Sequence, residues 1–329
     1  MTLLQAGIER QDRQPGDGRT GDMVWIPGGI FQMGSNDHYP EEAPVHQVAV
    51  DGFWIDRTPV TNRQFKRFVM ATGHTTNAEI PPDPRDCPGA LPHMLYAGSL
   101  VFVHPPSTFD LRDWSQWWTF MKDADWRHPY GSRSNINALD NHPVVHVAHA
   151  DARAYARWLG KDLPTEAEWE FAARGGLDGA EFAWGHEFTP GGRHMANTWQ
   201  GEFPLHNRNE DGFERTSPVK AFPPNGYGLH DMIGNVWEWT SDWWSSGHEV
   251  GAPKACCIPR NPRGGRESDS YDLRQPNIKI PRKVLKGGSH LCAPSYCRRY
   301  RPAARYAEAV ETSASHIGFR CVVRKGTGS

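Results

Sequence analysis

Apolar residues occur along this chain in short bursts separated by polar stretches, so few regular elements are expected and most of them should be short. Residues 23–34 (MVWIPGGIFQMG) place two apolar runs around Pro27, Gly28 and Gly29, the pattern of a hairpin. Residues 45–55 keep an imperfect period of two, with Val48 and Val50 opposite Gln47, Ala49 and Asp51, which predicts a strand pair or a bent strand. Helical periodicity is clear in three places. Thr61 with Gln64 has capping-box form, Phe65, Phe68 and Val69 make one stripe, and Gly73 ends the helix. Residues 151–159 turn Ala154, Tyr155, Trp158 and Leu159 inward and stop at Gly160, and Thr165 with Glu168 caps a further helix reaching about Arg174 before Gly175 and Gly176. Residues 75–136 show little periodicity and read as a long ordered loop region packed by Trp114, Trp117, Trp118 and Trp126. Residues 142–148 (HPVVHVA) read as a buried strand, 196–244 and 251–281 as loops with short strands, 284–289 as a short strand ending at two glycines, and 315–323 as a final strand.

Composition fits this picture. With 33 Gly, 27 Pro and 14 Trp, the chain is suited to irregular segments pinned by buried rings. Its 329 residues allow two domains by length, but nothing in the middle resembles a linker. One domain over 22–325 is therefore expected, between a polar, disordered tail (1–21) and a flexible C-terminus (326–329). A net charge of −2, from 36 basic and 38 acidic residues, sets up no field for nucleic acid or an anionic membrane. No apolar run approaches the roughly 18 residues of a membrane span, and the polar start lacks a secretory signal, so the cytoplasm is the expected compartment. A monomer is expected as well.

Six cysteines (Cys87, Cys256, Cys257, Cys292, Cys297, Cys321) are too few for a disulfide framework. Cys292 and Cys297 are five apart, about 140° around a helix and on opposite faces of a strand, so only a turn brings both sulfurs to one point. Ala293-Pro294-Ser295-Tyr296 has the residues for that turn. From spacing alone the pair is a disulfide, two unrelated buried thiols, or a soft-metal site of two thiolates with open positions. Structural zinc would want four ligands and finds no Cys-x2-Cys partner here. His142 and His146, if on a strand, stand about 13 Å apart, too far for one ion, and with His149 they read as structural.

Several blocks together carry a family likeness: Trp25-Ile26-Pro27-Gly28-Gly29, Pro59-Val60-Thr61-Asn62, Leu163-Pro164-Thr165-Glu166-Ala167-Glu168-Trp169-Glu170, Asn225-Gly226-Tyr227-Gly228-Leu229, Gly234-Asn235-Val236-Trp237-Glu238-Trp239, Lys286-Gly287-Gly288-Ser289 and Gly318-Phe319-Arg320-Cys321. Over roughly 22–323 the chain resembles the formylglycine-generating enzyme (sulfatase-modifying factor) family. Asn197-Thr198-Trp199-Gln200-Gly201 and Leu291-Cys292-Ala293-Pro294-Ser295-Tyr296-Cys297 resemble its true formylglycine-generating branch, bacterial and copper-dependent.

The resemblance implies an α+β domain of the C-type-lectin-related fold, low in regular structure and rich in long ordered loops. It implies oxidation by O2 of the cysteine of a Cys-x-Pro-x-Arg segment, in an unfolded or nascent sulfatase, to Cα-formylglycine. By the same likeness Cys292 and Cys297 hold Cu(I), the substrate cysteine joins them as a ligand, and Ser289, Tyr296 and Trp237 line the site. Structural Ca2+ is implied at Asn197, Asp211 and the carbonyls of Thr198 and Phe213, and again at Asp231, Glu238 and the carbonyls of Gly234 and Val236. The alternatives on this scaffold are an iron-dependent sulfoxide synthase, whose acid position is Ala148 here, and a non-catalytic binding module. The two disulfides of eukaryotic relatives fall on Ala156, Ala173 and Pro302 beside Cys321, so both are absent. An acid that holds the substrate arginine in some relatives aligns near Pro59, and no such ligand carries over.

Overall fold

Each predicted helix forms, because its ends satisfy the backbone groups that a helix leaves open. In the computed structural model, which describes residues 20–85, 89–105, 110, 112–248 and 258–325, Thr61 caps α1 (Asn62–Thr72). The Gln64 side chain returns the bond by accepting the Thr61 N–H at 2.8 Å, and Gly73 closes the helix at φ 69°. Helix α2 (His149–Trp158) starts two residues earlier than predicted, since the Asp151 carboxylate accepts the Ala148 N–H at 2.9 Å. It turns Ala152, Tyr155 and Ala156 inward; Trp158 sits at the rim, 41% exposed, against Phe68. Helix α3 (Glu166–Arg174) has the predicted Thr165–Glu168 box and ends at Gly175, φ 60°, with all nine residues buried.

The strands depart from prediction in their pairing. β1 (Met23–Ile26) and β2 (Gly29–Met33) do not form a hairpin with each other. β2 pairs with β3 (His46–Val50), and β1 pairs with β4 (Phe53–Asp56), the second pair nested outside the first. Gly28 redirects the chain at φ 75°, where an added Cβ would lie 2.6 Å from the Val50 carbonyl oxygen. Residues 45–55 therefore supply strands to two sheets.

The region read as one long loop contains a hairpin, β5 (Gly98–Phe102) with β6 (Trp118–Lys122). Trp117 and Trp126 are buried there as expected, whereas Trp114 is 57% exposed. Residues 143–148 are buried, but 142–148 form no strand. His146 stands at φ 60°, and its two ring nitrogens bond the Ser99 hydroxyl at 2.8 Å and the Pro129 carbonyl at 2.9 Å, which supports the structural reading of this histidine.

A two-residue ladder, β7 (Gly201–Glu202) with β8 (His206–Asn207), precedes the main sheet. That sheet has the order β11-β10-β9-β12, from β9 (Trp237–Trp243), β10 (Arg282–Lys286), β11 (Arg305–Ala309) and β12 (Ile317–Gly318). β13 (Val322–Arg324) joins β4 and β1 instead, so the single final strand predicted over 315–323 is two strands in two sheets. Between them Arg320 turns inward, placing Nε and Nη2 at 2.7–3.0 Å from the Glu238 carboxylate, which also accepts from Trp169 Nε1 at 2.8 Å.

The result is the expected α+β fold, with three α-helices among the described residues and short strands joined by ordered loops. Among the described residues no helix is long and apolar enough to cross a membrane. Residues 1–19 and 326–329, and with them most of the predicted tails, lie outside the described residues, as do Cys87, Cys256 and Cys257.

Removing one side of a buried ion pair leaves a bare charge in the core. Arg320→Met is expected to destabilise the protein by about 3–5 kcal/mol, measured by calorimetry or denaturant unfolding. A loss below about 1 kcal/mol would mean that Glu238 finds another partner.

Candidate active site

β10 ends at Lys286, and the chain then passes through Gly287 at φ 93° and Gly288 at φ 71°. A Cβ at Gly287 would lie 2.8 Å from the Met232 carbonyl oxygen, and one at Gly288 2.9 Å from that of Arg299, so no larger residue permits either approach. The segment that follows is laid against residues 299–300. Cys292 N–H donates to the Ser289 carbonyl at 2.9 Å, and the Ala293 carbonyl accepts from Tyr296 at 3.2 Å and Cys297 at 3.0 Å, closing the predicted turn. Both cysteines are free thiols, and their Sγ atoms stand 3.0 Å apart.

The two sulfurs are not equivalent. Cys292 is buried, while Cys297 is half-buried beside the exposed Pro294 and Ser295. Burial pushes the Cys292 thiol well above its ordinary value. Cys297 is lowered to about 7, first by its hydrogen bond with Cys292 and then, against burial, by the Arg299 guanidinium. Of the two, Cys297 gives up its proton more readily and Cys292 retains its own.

The other predicted site residues gather here in different ways. Ser289 is buried and faces the pair through its backbone, its N–H 3.4 Å from Cys292 Sγ, while its hydroxyl accepts the Leu291 N–H at 3.2 Å. Tyr296 is 39% exposed, stacked on Phe203 at 4.4 Å and edge-on to Trp117 at 5.6 Å. Trp237 is buried in the same cluster as Cys292, against which Cys297 also packs, and its ring lies 5.8 Å from Tyr306.

Sequence reasoning missed Arg299, Tyr39 and Tyr306. The Arg299 guanidinium lies over Tyr39 at 3.7 Å and Tyr306 at 5.4 Å, and donates to Glu41 at 2.6 Å. The run Arg298-Arg299-Tyr300-Arg301 after Cys297 was a visible signal, but its acidic partners are more than a hundred residues away.

Of the first set of oxygen donors, Asp211 and Thr198 are brought together. Asp211 accepts the backbone N–H of Thr198 at 3.1 Å and of Phe213 at 2.9 Å, and burial raises its pKa. Gln200 Nε2 bridges Asp211 and the Thr198 carbonyl. Asn197 Oδ1 is buried without a partner, and such an orphaned oxygen among hard donors fits a calcium ion. In the second set Glu238 has both oxygens on Arg320, and Arg320 Nη2 also donates to the Asp231 carbonyl at 3.1 Å. A second ion would have to share that carboxylate with Arg320. Among the described residues no group of three or more His, Cys, Asp and Glu side chains is placed to hold a metal, and an iron site of two histidines and an acid would need one.

Residues 9–325 match the sulfatase-modifying factor enzyme 1-like domain. The chain belongs to the sulfatase-modifying factor family. It is similar to the formylglycine-generating enzyme of Mycobacterium tuberculosis, with 52% identity over 93% of this chain and 99% of that one. It also resembles that of Streptomyces coelicolor, with 47% identity over 92% of this chain and 89% of that one. A Bos taurus family member described as an inactive Cα-formylglycine-generating enzyme 2 is 38% identical, over 94% of this chain and 91% of that one. Among solved structures, PvdO from Pseudomonas aeruginosa superposes with a TM-score of 0.61 at 26% identity, over 92% of this chain and 95% of that chain.

In the metal-free protein the Cys297 thiolate absorbance is expected to rise through about pH 7. Cys292→Ala should shift that midpoint upward, since it removes the donor that holds the negative charge. A wild-type midpoint at an ordinary thiol value would contradict the assignment.

Proposed function

We propose that the chain oxidises the cysteine of a Cys-x-Pro-x-Arg segment in an unfolded or nascent sulfatase to Cα-formylglycine, using O2 and Cu(I) held by Cys292 and Cys297. The observation that carries this reading is the unbridged sulfur pair, in contact at 3.0 Å, with one member buried and the other opening toward the surface. Because one family member is described as inactive, membership alone does not decide the activity. The bacterial relatives described as formylglycine-generating enzymes favour it.

Two thiolates suit a soft monovalent ion, and when bound it would supply a centre that a third sulfur can join and that passes electrons to O2. The protein's own part is positional and electrostatic. Arg299 stabilises the negative charge on Cys297, and the hydrogen bond from Cys292 keeps that charge facing the pair. Phe203 and Trp117 pack on Tyr296 of the cysteine turn, and Trp237 belongs to the same buried apolar cluster as Cys292, so the turn is set in apolar surroundings that limit water. One substrate thiol and one O2, with two electrons and two protons from two external thiols that become a disulfide, balance to one aldehyde, one hydrogen sulfide and one water. A cytoplasmic setting and a monomeric state belong to the same proposal.

The test is mass spectrometry of a peptide with a Cys-Thr-Pro-Ser-Arg core after incubation in air with the Cu(I)-loaded chain and a thiol reductant. Loss of the thiol with gain of an aldehyde is expected, and an unchanged mass would refute the activity. Cys292→Ala and Cys297→Ala should each abolish both turnover and stoichiometric Cu(I) binding.

Calcium is proposed at Asn197, Thr198, Asp211 and Phe213. Chelation should then lower Tm by about 5 °C or more, reversed by Ca2+ but not Mg2+, and Asp211→Asn should remove the response. A Tm indifferent to chelator would mean that Gln200 already satisfies these donors.

A further inference from the structure

One donor beside the thiol pair has no acceptor. Arg299 stands two residues beyond Cys297, and its carbonyl is the surface on which Gly288 packs, so the double-glycine turn is pressed against this residue. Its guanidinium lies over the Tyr39 ring at 3.7 Å and the Tyr306 ring at 5.4 Å, and Nη2 donates to Glu41 at 2.6 Å. Tyr39 is fixed in turn, because its hydroxyl accepts the Arg298 N–H at 3.1 Å. The Arg299 Nε–H is buried, and among the described residues it finds no acceptor.

The neighbouring arginines are filled. Arg301 donates from Nε to the Arg298 carbonyl at 2.8 Å and from both terminal nitrogens to Glu42 at 2.7 and 2.5 Å. Arg305 donates from Nε and Nη2 to Glu166 at 2.8 and 3.0 Å, and from Nη1 to the carbonyls of Ser245 at 3.0 Å and Glu41 at 3.1 Å. Every guanidinium nitrogen of these two residues has a partner. A buried donor left empty is costly, and in a native structure it asks for a water, an ion or a ligand.

The empty edge belongs to the thiol pair. Cys297 supplies the largest favourable charge on the Arg299 guanidinium, ahead of Glu41, and the guanidinium in turn draws the Cys297 thiol down. Rings lie against its plane and Glu41 takes the Nη2 edge, so the Nε edge is what remains for a ligand. Cys292 closes the buried side of Cys297 at 3.0 Å, while Cys297 and Arg299 are both half-buried, so a third sulfur enters on the side where the two meet. An anionic acceptor gains most from a guanidinium, and the substrate cysteine becomes one when it sheds its proton to join the pair.

We infer that the Arg299 Nε–H donates to the thiolate sulfur of the substrate cysteine as it reaches the pair, and so selects a thiol over a hydroxyl at that position. The inference rests on the function proposed above and gives Arg299 a contact with substrate, beyond its effect on Cys297. The substrate S–H proton passes to solvent, no other bond changes, and the guanidinium keeps its charge throughout. A serine hydroxyl stays neutral and is the weaker acceptor.

The test measures binding without O2, so that no turnover intervenes. Cys-Thr-Pro-Ser-Arg and Ser-Thr-Pro-Ser-Arg peptides are titrated by calorimetry into the Cu(I)-loaded full chain, as wild type, Arg299→Met and Arg299→Lys, with Tm and copper stoichiometry recorded. Wild type should favour the cysteine peptide. Arg299→Met should lose about tenfold of that preference, with its affinity for the serine peptide unchanged. Arg299→Lys keeps the charge but not the Nε–H, and should lose part of the preference while still taking up copper. If Arg299→Met does not fold, Arg299→Lys alone decides. Equal weakening of both peptides, or an unchanged ratio, overturns the inference. So does a wild type with no preference for the cysteine peptide either loaded or metal-free. The proposed activity fails separately, if loaded wild type makes no aldehyde in air while the preference persists.

Discussion

Helix α3 brings three glutamates into the interior, and the rest of the structure is arranged around their charges. A buried carboxylate costs several kcal/mol unless it is paired and hydrogen-bonded. Glu166 meets Arg305 of β11, Glu168 meets Arg324 of β13, and Glu170 meets Lys286 of β10 together with Arg174 of its own helix. Burial pushes Glu170 upward, but Lys286, Arg174 and the Gly34 N–H outweigh it and hold the carboxyl at about 2. One helix thereby fixes three strands by charge. Lys286 immediately precedes the double-glycine turn, so the same pairing anchors the segment that delivers Cys292.

Elements whose signals are local were readable in the sequence. The capping boxes at Thr61 and Thr165 and the stops at Gly73 and Gly175 are decided within a few residues, and all four hold. Strand pairing was not readable, because it depends on what a strand meets far away. β1 pairs with β4 and β2 with β3 because Gly28 packs on the Val50 carbonyl, and nothing within residues 23–34 encodes that contact. The buried strand expected over 142–148 fails for a related reason: His146 takes a left-handed backbone to reach Ser99 and Pro129.

The candidate site divides along the same line. The turn between Cys292 and Cys297 followed from spacing and turn chemistry, and it forms. Arg299 was visible as a residue but not as a neighbour of the sulfur, since its geometry is set by Tyr39, Glu41 and Tyr306. Glu238 is the opposite case. Its oxygens suggested a metal ligand, and in the structure they are taken up by Arg320 and Trp169, so a carboxylate read as functional also ties two sheets together.

The clamps on the arginine run also bear on how the chain folds. Glu41 and Glu42 hold Arg299 and Arg301 across sequence separations of 258 and 259 residues. Loops of that length must close before either contact gives any return, so folding is governed by non-local encounters and is slow for the size of the domain. Emerging from a ribosome, the chain has its first acids exposed long before their arginines exist. The thiol pair therefore reaches its working geometry only after residues through Arg301 have been made, and a chain lacking either the Glu41–Glu42 segment or the Arg299–Arg301 segment would lose the site as a unit.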